Sequence, residues 1–92
     1  MLLRLANIEL SRLLHRSVKG RNGEVLGRIG DIILDARYGR IEYVKLIMND
    51  DESEGEKSVA VPWSQFKLTN VSTEIELNIS RKVLRMCATR NR

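Results

Sequence analysis

Turn chemistry recurs along this chain at short intervals, and that spacing limits the possible folds more than any other feature. Gly20-Arg21-Asn22-Gly23, Asp35-Ala36-Arg37-Tyr38-Gly39, the acidic stretch 49–56 and Asn70-Val71-Ser72-Thr73 are four such clusters. Gly and Asn tolerate positive φ, and Asp, Ser and Asn side chains bond their own backbone, so each cluster is a place where the chain reverses. Between them lie runs rich in Val and Ile at 25–34, 40–48, 57–62, 66–69 and 74–79. The last run, Glu74-Ile75-Glu76-Leu77-Asn78-Ile79, alternates cleanly, with Ile75, Leu77 and Ile79 on one face, as a half-buried strand requires. Val59, Val61 and Trp63 share a face in the same way. Short strands with regular turn signals predict an antiparallel barrel or sandwich. At this size closure is favoured, because it removes unpaired edges.

Local details refine that expectation. Alternation in 25–34 breaks near Gly30-Asp31, which predicts a bulge or sharp coil there. Pro62 cannot donate to a ladder and is expected at a strand end, before a turn through 63–66. The run 40–48 is apolar on both faces. Ile41, Tyr43 and Ile47, interrupted by Lys45, oppose Val44, Leu46 and Met48. A strand with water on one side should not read this way, so its outer face is expected to be covered by a terminal segment or a second chain. Helix is scarce. A turn or two is predicted at 8–15, with Ile8 and Leu13-Leu14 inward. Ser80 is expected to cap a short helix carrying Val83, Leu84 and Cys87 on one face. Arg81 and Lys82 in its first turn oppose the helix dipole and keep it short.

The chain has 92 residues, enough for one small domain, with a core at about 8–85 and a frayed basic tail at 86–92. A TIM barrel or doubly wound dinucleotide fold is excluded by length. One Cys and one His cannot form an internal disulfide or a structural zinc site, which needs about four ligands. No stretch reads as a signal peptide or a membrane span, and a cytoplasmic setting is expected. Sixteen basic and twelve acidic residues give a net charge of +4, distributed unevenly. Residues 1–48 carry +4, residues 49–80 carry −5 and residues 81–92 carry +5.

Several segments together resemble the PRC-barrel domain. They are Leu13-Leu14-His15-Arg16-Ser17-Val18, then Gly23-Glu24-Val25-Leu26-Gly27-Arg28-Ile29-Gly30-Asp31-Ile32-Ile33-Leu34-Asp35, Gly39-Arg40-Ile41-Glu42-Tyr43-Val44 and Val59-Ala60-Val61-Pro62-Trp63-Ser64. That family includes the barrel of the photosynthetic reaction-centre H subunit, the C-terminal domain of ribosome-maturation factors and small stand-alone proteins. The resemblance implies a small all-β fold, a six-stranded antiparallel barrel with a short C-terminal helical turn. Its motif residues are Gly23, Glu24, Gly27, Asp31, Asp35, Gly39, Arg40, Ile41, Val61, Pro62 and Trp63, a folding signature without catalytic members. His15 stands where the family usually has Gly before a basic residue, and Tyr38 where Thr is common. The tail is basic where many members are acidic or mixed. The membrane anchor of the H subunit and the N-terminal domain of the maturation factors have no counterpart in these 92 residues, so neither role is implied.

No constellation of reactive residues rises above its structural explanation. His15 with Ser11, Ser17 or Cys87 lacks an oxyanion element or a nucleophile elbow and reads as a surface or turn histidine. Asp31 and Asp35 read as a bulge cap and a turn starter rather than as paired carboxylates. The 49–56 run lacks Ca²⁺-loop spacing, since Gly55 falls one place late and Ala60 occupies the bidentate position. No cofactor, metal or catalytic residue is therefore expected. The favoured function is a non-catalytic protein-interaction module, homodimeric, using Ile41, Tyr43, Ile47, Trp63 and Phe66. The alternative is an RNA- or ribosome-associated factor using Arg16, Lys19, Arg21, Arg28, Arg81, Lys82 and Arg85, with Arg4, Arg12 and the basic tail contributing.

Overall fold

A computed structural model of the chain describes residues 9–48, 56–70 and 74–90. A 3₁₀ turn at Leu10–Arg12 leads into strand β1 (Ser17–Lys19). Strands β2 (Val25–Asp35), β3 (Arg40–Met48) and β4 (Lys57–Pro62) follow as a meander. A second 3₁₀ turn, Trp63–Gln65, leads to β5 (Phe66–Asn70) and β6 (Glu74–Leu77). Helix α1 (Arg81–Cys87) and the two-residue strand β7 (Thr89–Arg90) complete the chain. The sheet order is β5-β6-β1-β2-β3-β4-β7.

This architecture corrects the expected closed antiparallel barrel in two respects. The order is linear, a curled half-barrel whose end strands do not pair with each other among the described residues. The sheet is also mixed, because β1 and β6 run parallel, with Val18 opposite Ile75. Pro62 ends β4 without a donor, and the 3₁₀ turn behind it carries β5 away from the β4 edge. The edges are blunted instead of joined. β5 is short and carries Lys67, and β4 is capped over Lys57 and Ser58 by β7. Residues 86–90, expected as part of a frayed tail, finish α1 and form β7.

Cross-strand register explains the core. Leu68, Ile75, Val18, Gly27 and Met48 form one inward row across five strands. Ile29, Leu46 and Val59 form the next, and Ile32, Val44 and Val61 a third. Most of these side chains are buried, and Leu13 and Leu84 close the cluster from the flanking segments. Gly27 is small because β3 leaves no room: a Cβ there would sit 2.2 Å from the Ile47 carbonyl oxygen. The bulge predicted at Gly30-Asp31 is present as a register shift between Ile29 and Asp31. Asp31 stabilises it by accepting the Ile32 N–H at 2.8 Å.

The helix assignment needs one correction. Ser80 caps α1 as expected, its Oγ accepting the Val83 N–H at 3.2 Å. However, Leu84 alone of the three anticipated residues is buried, with Ala88 packed beside the core one turn on, while Val83 and Cys87 are exposed. The acidic loop is outside the described residues apart from Glu56, which pairs with Arg28 at 2.6 Å.

Candidate interaction surface

Alternation places the other side chains of β2, β3 and β4 on the outer face. Three rows follow from the register: Arg28, Ile47 and Ser58; Asp31, Lys45 and Ala60; Ile33, Tyr43 and Pro62. The third row is apolar and open, with Ile33 41% and Tyr43 38% exposed. Beside it runs a groove of about 420 Å³ lined by Ile33, Lys45, Ser58, Val59, Ala60 and Cys87. The C-terminal end of α1 thus reaches the outer side of the β4 edge, and Met86 next to Cys87 is 77% exposed. The expected cover on this face is partial: Ser58 is buried and Ile47 half-buried, while Ile33 and Tyr43 stay open.

The anticipated interaction residues divide. Tyr43 lies in the open row. Ile47 lies on the same face, its Cδ1 where a Gly30 Cβ would fall, 2.4 Å away. Ile41, Trp63 and Phe66 pack against the core, and the two aromatic rings stack at 5.8 Å between centroids. Sequence reasoning missed Ile33 and Cys87. The run Ile32-Ile33-Leu34 held a signal for the first, since three consecutive apolar residues in a strand cannot all face inward.

The motif residues hold the frame. Gly23 and Gly39 have φ of 86° and 64°, the left-handed region their turns demand. The Glu24 carboxylate accepts the Asn22 N–H at 3.1 Å and lies against Gly20. Asp35 starts the β2–β3 turn, accepting the Arg37 N–H at 3.0 Å through its carboxylate. Arg40 and Arg37 both lie over the Tyr38 ring, 5.2 and 5.5 Å from its centroid. Val61 is in the core and Pro62 ends β4. His15, in place of the family's Gly, also adopts a left-handed φ of 67°. Its N–H donates to the Ile29 carbonyl at 2.7 Å, extending the β1–β2 pairing.

The basic residues do not gather in one patch. Arg16 donates to the Arg12 carbonyl, and Arg28 pairs with Glu56. Arg85 lies on the exposed side of α1. Lys19 and Arg21 flank the β1–β2 turn, and Arg81, followed by Lys82 in the first turn of α1, reaches it. There, Arg81 Nη2 donates to the Val25 carbonyl at 2.6 Å, and Val25 faces Lys19 across the ladder. No hydrogen bond joins the side chains of His15, Ser11, Ser17 and Cys87. Among the described residues no group of three or more His, Cys, Asp or Glu could hold a metal. No helix of the described residues is long and apolar enough to cross a membrane.

A curled sheet with a tethered helix, an open outer face and turn-fixing motif residues defines a small, mostly β module. A family comparison agrees: the PRC-barrel domain matches residues 6–80, and the chain belongs to that family. The family is generally non-enzymatic. No curated protein matches the chain.

Proposed function

We propose that this PRC-barrel domain is a protein-docking module whose outer face on β2–β4 binds a second copy of the chain. The open row Ile33–Tyr43–Pro62, bordering a groove, carries this reading. An apolar line spanning three strands is desolvated only by another surface. The adjacent row supports self-pairing, because it sets Asp31 and Lys45 side by side. Two-fold pairing of one patch on itself brings the acid of one copy to the base of the other.

Sedimentation velocity over a concentration series tests this. The unaltered chain is expected to dimerise. Ile33→Glu and Tyr43→Glu each place an uncompensated charge in the interface and are expected to weaken association at least about tenfold, an effect of about 1.4 kcal/mol or more. A chain that stays monomeric at about 100 µM, or Glu variants that associate as the parent does, would overturn the reading.

A further inference from the structure

We propose that the tip of the β2–β3 hairpin, residues 34–41, docks an acidic segment of another protein. The proposal goes beyond the self-pairing face and uses different residues. The tip carries one ring, Tyr38, which is 66% exposed. Two guanidinium groups lie over it, that of Arg40 at 5.2 Å and that of Arg37 at 5.5 Å. Both distances are within the reach of a cation–π contact, so the ring gathers two cations at the surface. One ladder position back from Asp35 and Arg40, Leu34 lies opposite Ile41 and is 53% exposed. The acid of the turn is already occupied. Asp35 accepts the Arg37 N–H at 3.0 Å and the Arg37 Nε–H at 3.4 Å, with little of its side chain exposed. Arg40 is exposed, and its guanidinium makes no ion pair or hydrogen bond with the described residues.

This chemistry selects the occupant. A planar guanidinium with free N–H groups matches the oxygens of a carboxylate or of a phosphate. The apolar surface beside it decides between them. Leu34 is desolvated by another apolar side chain, which the sugar–phosphate backbone of a nucleic acid does not offer. Residues 35–40 sum to only +1, from Arg37 and Arg40 against Asp35, too little charge to hold a polyphosphate. An anionic bilayer gains only about fivefold in affinity for each basic residue near it, so a net +1 adds little there. A protein surface supplies both halves, carboxylates for the guanidinium groups and an aliphatic side chain for Tyr38 and Leu34. Tyr and Arg are also the residues in which interface energy concentrates.

The test is selection of phage-displayed random dodecapeptides on the immobilised full chain, followed by fluorescence anisotropy with the enriched peptides. These are expected to pair Asp or Glu with a neighbouring Leu, Ile or Phe. Arg40→Gln and Tyr38→Ala should each weaken binding about tenfold or more. Arg40→Lys keeps the charge but loses the planar fork, and should stay at least about threefold weaker than the parent. Ala60→Glu, in the outer-face groove, should leave the affinity unchanged, which separates this site from the self-pairing face. Circular dichroism checks that each variant is folded. A ¹⁵N NMR titration of the unaltered chain locates the peptide without any substitution, with the largest shifts expected at 34–41. Any of five results would overturn the proposal: no acid–aliphatic pattern among the enriched peptides; equal binding to the parent, Arg40→Gln and Tyr38→Ala; shifts centred on the groove beside Ala60 and Cys87; self-association lost in Arg40→Gln, which would assign the tip to a second copy; or tighter binding, through Arg40, of oligouridine or of vesicles of equal phosphatidylserine and phosphatidylcholine than of the peptides.

Discussion

Gly27→Ala and Gly30→Ala are the same chemical change three residues apart in one strand, and the structure assigns them different outcomes. Both new methyls meet Ile47. At position 27 the obstacle is backbone: the Cβ falls 2.2 Å from the Ile47 carbonyl oxygen and 3.0 Å from its carbon. At position 30 it is the end of a side chain, with Ile47 Cδ1 at 2.4 Å. Relieving the first clash requires β2 and β3 to separate by about 1 Å, which takes their hydrogen bonds beyond useful length. The nearest yielding point is the end of β3, where Met48 is buried opposite Gly27. Releasing it forfeits about 1.5–3 kcal/mol of burial and about 1 kcal/mol for each ladder bond. Set against a gain of about 0.4–1 kcal/mol from a stiffer unfolded chain, Gly27→Ala should cost about 2–4 kcal/mol. For a domain of this size each kcal/mol shifts Tm by about 4–8 °C.

Relieving the second clash requires only that Ile47 turn on its half-exposed face, at about 0.5–1.5 kcal/mol, so the net cost of Gly30→Ala stays within about 1 kcal/mol. Urea denaturation of the two variants, alone and combined with Ile47→Val, is the assay. Ile47→Val deletes Cδ1, the nearer of the two clashing atoms, and keeps Cγ1 at 2.7 Å, so it should relieve Gly30→Ala in part and leave Gly27→Ala unrelieved. Equal losses for the two alanines, or rescue of position 27 by Ile47→Val, would refute the backbone argument.

Three further outcomes follow from local geometry. His15→Gly should stabilise the fold by about 0.5 kcal/mol in thermal melts, because relief of a left-handed side chain exceeds the extra freedom gained by the unfolded chain. Ser80→Ala should lose about 1 kcal/mol by the same measurement, since it removes the acceptor for the Val83 N–H. Arg28→Gln should change stability by less than about 1 kcal/mol, with the difference vanishing at high salt, because the Arg28–Glu56 pair is solvent-exposed.

The long meander was legible because β2, β3 and β4 have enough residues to show a period and are bounded by Gly, Asn and Asp. β1 and β7, with three and two residues, are too short to show one. Alternation fixes which face a residue takes and leaves pairing direction open, so the parallel β1–β6 contact could not be read from Ile75 and Leu77. Closure was inferred from the cost of bare edges, but a short strand with Lys67 and the β7 cap meet that cost locally. The helix face was misjudged because seven residues carry little periodicity: Leu84 and Ala88, one turn apart, define it. The outer face was half legible. Tyr43 followed from the doubly apolar β3, whereas Cys87 reaches the groove only through the tertiary path of α1. His15 was visible as a departure from Gly, and its left-handed backbone gives that departure a physical meaning.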